Sequence, residues 1–173
     1  ILMRGGYARL TRGFDPAVFC RIVADDRISS TFIVPTMLYM LLDSSCSRTS
    51  DLGSLRTVVY GAAPMSPERI REALDRFGPI FVQLYGQTEV PMCISTLRKA
   101  DHDPGRPERL DSAGLPCASV EVRLLDTEMA EVPDGTPGEI CVRGPLVMDG
   151  YWQRDDATAE ARRGGWHHTG DVA

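Results

Sequence analysis

No apolar stretch of this chain approaches the roughly 20 residues needed to cross a bilayer. The longest, Phe32 to Leu42, is interrupted by Pro35, Thr36 and Tyr39. Positive charge is scarce: 19 Lys and Arg against 24 Asp and Glu leave a net charge of −5 over 173 residues. The basic pairs Arg98-Lys99 and Arg162-Arg163 form no stripe, which argues against broad nucleic-acid binding. The five cysteines are odd in number and contain no C-x-x-C, so neither a disulfide framework nor a zinc cage is expected, and a reducing cytoplasm is. Cys20, Cys93 and Cys141 sit among apolar neighbours and read as small core residues. Gly and Pro are dispersed, which excludes collagen and low-complexity disorder. There is no G-x-x-x-x-G-K-[ST], no G-x-S-x-G and no H-E-x-x-H. His167 and His168 are adjacent and would point to opposite faces of a strand, so joint metal ligation by the two is not expected. Asp126–Glu139 lacks the ligand spacing of a calcium loop.

What remains is the composition of an ordinary globular chain, 43% hydrophobic and 25% charged. That length suits one domain or parts of two, burying about two-thirds of the unfolded surface without metal or disulfide staples. Over the first hundred residues helix and strand signals alternate. Asp15-Pro16 caps a helix with Val18, Phe19, Ile22 and Val23 on one face, Thr31–Val34 reads as a buried strand, and Pro35 opens a helix ending near Asp43. Ser44–Leu52 reads as a polar loop and Leu55–Tyr60 as a second strand. Ser66-Pro67 caps a helix carrying Ile70, Leu74 and Phe77 and stopped by Gly78, before a third strand at Ile80–Leu84. Strand, crossover helix, strand, repeated, predicts a parallel sheet with helices on its faces. Past about residue 98 the period changes. A Pro/Gly-rich loop over 99–116 separates residues 1–98 from residues 117–173, where Val120–Leu124 and Gly138–Arg143 alternate about a turn at Asp134-Gly135. The expected class is therefore α/β: a partial parallel-sheet subdomain followed by a small, mainly antiparallel β subdomain.

Tyr85-Gly86-Gln87-Thr88-Glu89 follows directly from the third parallel strand, and ligands of such sheets sit at the carboxyl ends of the strands. The second strand ends similarly, in Gly61-Ala62-Ala63-Pro64. Small residues there let a flat ligand approach the backbone, and Tyr85 could wall the other side. Thr88 offers a hydroxyl to a phosphate oxygen, and Glu89 a hard carboxylate suited to Mg²⁺. On residue types alone, the segment reads equally as a nucleotide site or as a polar loop with a packed Tyr.

Gly138-Glu139-Ile140-Cys141-Val142-Arg143-Gly144, Gly150-Tyr151 and Gly165-Trp166-His167-His168-Thr169-Gly170-Asp171 follow YGQTE in that order. With the upstream Gly-Ala-Ala-Pro, the set resembles the adenylate-forming (AMP-binding) enzymes over nearly the whole chain, and within that family Gln83–Glu89 and Val34-Pro35-Thr36-Met37 look most like fatty-acyl-CoA synthetases. The resemblance implies an ATP-dependent fatty-acid–CoA ligase that makes acyl-AMP and transfers the acyl group to CoA. Gly61, Ala62, Ala63, Pro64, Tyr85 and Gly86 would bind adenine and its surroundings, Thr88 the α-phosphate and Asp171 the ribose hydroxyls. Thr88 and Glu89 would be the catalytic pair, with Glu89 holding Mg²⁺. Glu139, Gly144, Tyr151 and Trp166 would shape the β unit, and neither His167 nor His168 would be catalytic. The absence of charge in Val90–Ile94 favours an apolar acyl tail. The phosphate loop would precede residue 1, and the hinge and the mobile lysine-bearing domain would follow residue 173. The chain is thus expected to be part of a larger N-terminal domain, inactive on its own and prone to self-associate through exposed core surface. An acyl-AMP ligase or carrier-protein-loading enzyme shares the first half-reaction, and a non-catalytic nucleotide-binding module is the alternative of another class.

Overall fold

The computed structural model describes residues 3 and 5–173. Helix α1 (Pro16–Asp26) begins at the predicted cap: Asp15 Oδ1 accepts the Val18 N–H at 2.8 Å, and Pro16 occupies a position where no N–H is required. Arg27, at φ 53°, ends it in the left-handed region. Strand β1 (Ser30–Ile33), helix α2 (Pro35–Asp43), strand β2 (Thr57–Gly61), helix α4 (Pro67–Phe77) and strand β3 (Phe81–Tyr85) follow, with a short α3 (Cys46–Thr49) inside the segment expected to be loop. Ser66 stands at the cap of α4, but its side chain makes no capping bond; its N–H donates to Tyr39 Oη at 2.9 Å instead.

Strands β1, β2 and β3 pair in parallel, and their register puts Ile33, Tyr60 and Gln83 in one row and Phe32, Val59 and Val82 in the next. Ile33, Val58, Tyr60 and Phe81 are buried with Cys20, Leu38, Leu42, Ile70 and Ala73 of the helices, a single core on one side of the sheet. Arg76 of α4 anchors α2 by donating to the Leu42 carbonyl, one of the acceptors that a helix end leaves without an internal partner. Tyr60 brings a polar atom into this core. Its hydroxyl lies 2.9 Å from His102 Nε2 and 3.2 Å from Gln83 Oε1, so the burial leaves it satisfied.

The first sheet extends beyond its three expected parallel strands. Strand β4 (Ser95–Leu97) returns antiparallel to β3, and β5 (Leu115–Pro116) pairs antiparallel to β4. Residues 86–94 are fewer than the dozen or so that a parallel crossover requires, so the chain can only double back. The stretch over 99–116 is tied into this first layer. It holds the short helix α5 (Pro107–Leu110), whose Leu110 enters the helix-side core, and it ends in β5.

Strands β6 (Glu121–Leu125), β7 (Glu139–Arg143) and β8 (His167–Val172) form the separate antiparallel sheet, with helix α6 (Asp155–Ala161) before β8. Its Val142 packs with Val90 and Ile94, flanked by Tyr85, so the loop after β3 is sandwiched between the two sheets. Trp166 packs with Leu125 and Cys141, and the Arg143 guanidinium lies 4.6 Å from its ring centre. Cys20 and Cys141 are buried as expected, whereas Cys93 is only half-buried because it sits in the loop before β4. Among the described residues, no helix is long and apolar enough to cross a membrane.

Candidate functional site

Gly61 ends β2 opposite Leu84 of β3, and a Cβ there would collide with the Leu84 carbonyl. Only glycine lets the two strand ends close to this spacing. Ala62 then takes φ 68°, a left-handed conformation that L-residues rarely hold, and turns the exposed Ala63-Pro64 away from the strand. Gly86 does the equivalent work one strand over: a Cβ on it would strike the Met92 backbone, so the loop 86–94 can fold tightly back toward β4. Gly61, Ala62, Ala63, Pro64, Tyr85 and Gly86 therefore line adjacent carboxyl ends of parallel strands.

The loop is bound to β8 by side chains far apart in sequence. The Tyr85 hydroxyl donates to Asp171 Oδ2 at 2.6 Å, and Gln87 Nε2 donates to the same oxygen at 3.2 Å and to the Thr169 carbonyl at 2.7 Å. Asp171 Oδ1 makes no hydrogen bond among the described residues. Burial, and then the Asp171 carboxylate, push the Tyr85 phenol up to about 12. Gln87 Oε1 faces His167 Nε2 at 3.2 Å, which assigns the proton of the neutral ring to Nε2. His167 is only 2% exposed, and burial pushes its pKa below the ordinary value.

Glu89 is held from two sides. Its Oε1 accepts the Tyr151 hydroxyl at 2.8 Å, and its backbone carbonyl accepts the Met148 N–H at 2.8 Å. The Tyr151 hydrogen bond comes first among the causes that hold the Glu89 carboxyl below its usual range, so it stays ionised at neutral pH. A half-buried, ionised carboxylate with one oxygen engaged offers the hard oxygen donor that Mg²⁺ requires, so the residue fits that ion. Thr88 beside it is exposed.

The structure thus brings Tyr85, Glu89 and Asp171 around one loop, with Gly61–Pro64 at the neighbouring strand end. Gln87, His167 and Tyr151 join these residues in the folded chain without a signal in the sequence. Their partners lie 62 to 84 residues away, and no local pattern marks such a pairing. An open cleft of about 660 Å³ lies beside α6 and β8, between Tyr151, Glu160, His168 and Gly170. None of the residues implied for the nucleotide lines it.

Comparison with known proteins bears on this arrangement. The family described as AMP-binding enzyme matches residues 1–152. A medium/long-chain-fatty-acid–CoA ligase of Mycobacterium tuberculosis is 49% identical over 172 residues, covering 99% of this chain and 30% of that protein. A feruloyl-CoA synthase of an Amycolatopsis species is 42% identical over 172 residues, covering 99% of this chain and 34% of that protein. Among solved structures, the amide bond synthetase McbA from Marinactinospora thermotolerans superposes with a TM-score of 0.85 at 39% identity, covering 92% of this chain and 32% of that one. The chain spans about a third of the length of the relatives it matches. With two strand ends built for close approach beside an ionised, cation-competent carboxylate, and a match over most of its length, this chain belongs to the AMP-binding enzyme family of adenylate-forming enzymes.

Proposed function

We propose that the chain is the nucleotide-binding part of an ATP-dependent acid–thiol ligase. Such an enzyme condenses a carboxylate with ATP to acyl-AMP and pyrophosphate, then passes the acyl group to CoA. The observation that carries this reading is the joining of YGQTE to the TGD strand through Tyr85, Gln87 and Asp171. It gathers an aromatic wall, a hydroxyl, an ionised carboxylate and a second carboxylate at the carboxyl ends of parallel strands. Gly61, Ala62, Ala63 and Pro64 would lie along one face of the adenine, with Tyr85 and Gly86 bounding the slot. Asp171 Oδ1 would accept a ribose hydroxyl, and the second ribose contact would replace the Tyr85 bond at Oδ2. Thr88, exposed at the loop tip, would donate to the α-phosphate, and Glu89 would hold Mg²⁺. When bound, Mg²⁺ supplies positive charge against the phosphates. The chain's own part is to fix the loop 86–90 between its two sheets so that these donors need no reorganisation during reaction.

The acid proposed is a fatty acid, supported by the mycobacterial relative and by the absence of charged residues in Val90–Ile94. The feruloyl-CoA synthase makes an aromatic acid the competitor. CoA is proposed as acceptor on the same two relatives, while the likeness to an amide bond synthetase favours a second reading, in which the acyl-AMP is passed elsewhere. A cytoplasmic location is proposed from the five free cysteines.

The test uses the complete protein and separates the half-reactions. Glu89→Ala should greatly slow carboxylate-dependent ATP–pyrophosphate exchange, while thioester formation from supplied acyl-AMP loses much less, because pyrophosphate has already left. Equal losses in both would overturn the role given to Glu89. Exchange driven by ferulate but not by fatty acids would overturn the choice of acid.

A further inference from the structure

Glu139 and Cys141 stand two residues apart on β7, and the pairing of β7 with β8 sets His168 opposite Cys141. Cys141 Sγ lies 3.5 Å from His168 Nδ1, and the same nitrogen lies 2.7 Å from Glu139 Oε2. All three ligand atoms fall within 4.8 Å of one another. Each flanking group is also fixed from behind. His168 Nε2 is 3.2 Å from the Arg163 carbonyl oxygen, and Glu139 Oε1 accepts the Gly170 N–H at 3.0 Å. Outer partners of this kind orient metal ligands in proteins. Both ring nitrogens of His168 therefore face oxygen acceptors, whereas a neutral imidazole carries one N–H. A proton on each nitrogen, which makes an ion pair with Glu139, or a cation at Nδ1 would each satisfy both contacts.

We propose that Glu139, Cys141 and His168 bind a borderline-soft divalent cation of the Zn²⁺ type. Zinc–sulfur and zinc–nitrogen bonds of about 2.3 and 2.05 Å at a tetrahedral angle set the two ligand atoms about 3.5 Å apart, matching the Cys141–His168 separation. Glu139 Oε2, now 2.7 Å from Nδ1, would have to withdraw by about 0.7 Å for the same geometry. A thiol, an imidazole and one carboxylate suit Zn²⁺ or Co²⁺ and not Mg²⁺, which demands oxygen ligands. The site is thus chemically distinct from Glu89 and does not rest on the nucleotide reading. Arg163 Nη2 lies 3.4 Å from His168 Nδ1, but its side chain belongs to an exposed residue and can swing aside into solvent. A fourth position would open onto the 660 Å³ cleft lined by Glu139 and His168, leaving room for water. The cation would cross-tie β7 to β8 where their ladder is irregular, between Glu139 and Cys141.

The experiment is a titration of the reduced, chelator-treated protein with Co²⁺, followed by Zn²⁺. One Co²⁺ per chain should bind with a thiolate-to-cobalt absorption band, displaced by Zn²⁺ and unaffected by excess Mg²⁺. Cys141→Ser should abolish the band, whereas Cys46→Ser and Cys117→Ser should keep it. Glu139→Ala should weaken Co²⁺ binding at least tenfold, and this variant stands in if Cys141→Ser does not fold. No cobalt–thiolate band in the parent protein, a band that survives Cys141→Ser, or unchanged affinity in Glu139→Ala would each overturn the proposal.

Discussion

Glu89 and Tyr151 come from different parts of the chain, and under the proposed role of Glu89 their contact would set the acid side of the pH profile. A carboxyl whose folded pKa is depressed stabilises the fold above its unfolded value, and that contribution is lost as pH falls through the lower folded value. Tyr151→Phe removes the first cause of the depression, so the Glu89 pKa should move back toward its ordinary value of 4.5. Under the proposed function, the acid limb of pyrophosphate exchange should then shift upward in pH, with a smaller loss near neutrality than Glu89→Ala produces. An unshifted limb would separate Glu89 from that ionisation. Asp171 belongs to the same scale. Under the proposed ribose role, Asp171→Ala removes hydrogen bonds to a charged acceptor, worth about 1.5–3 kcal/mol, so ATP and acyl-AMP should both bind about 10- to 100-fold more weakly. Equilibrium titration with each ligand checks this, and unchanged affinity would count against the role.

At the scale of the element, α1 shows how a short local signal sets a boundary. Asp15 satisfies a backbone donor that the first helical turn cannot, and α1 then supplies Cys20 and Val23 to the core. Asp15→Ala should therefore cost about 1 kcal/mol in unfolding free energy, measured by urea denaturation, with nucleotide affinity unchanged. Helices α1, α2 and α4 and strands β1 to β3 were legible because caps, prolines and apolar spacing within each segment agree. Strand β4 was not. Three residues, Ser95–Leu97, are too few to show alternation, and their strand character comes from the β3 backbone beside them. Strand β8 was hidden similarly, since His167-His168-Thr169-Gly170 has no apolar period and is held by the β7 ladder.

In the whole molecule, the parallel part of the first sheet is covered by helices on one side. On the other, Phe32 remains 48% exposed, in a row with the half-buried Val59 and Val82. Parallel strands are ordinarily buried on both faces. The chain by itself should therefore self-associate through this row, its sedimentation coefficient rising with concentration, and Phe32→Ser should reduce that rise. Under the proposed function it should also fail to make acyl-CoA from fatty acid, ATP and CoA by itself, because it spans only about a third of the length of the relatives it matches. Concentration-independent monomeric sedimentation would refute the first expectation. Turnover by the purified chain, free of full-length enzyme, would refute the second.

The amino-acid sequence by itself determined the α/β class, the change from helical to two-residue periodicity, and the motifs that carry the family resemblance. Each of these depends on residues within a few positions of one another, where local sterics and solvation act. Tertiary structure decided which of those residues meet. Strand register alone sets His168 against Cys141, and the packing of the loop 86–94 between two sheets brings Gln87 to His167 and Asp171, and Glu89 to Tyr151. The closing of such long loops follows from the burial of Val90, Ile94 and Val142 in a common cluster, a property of the folded chain and of no segment within it.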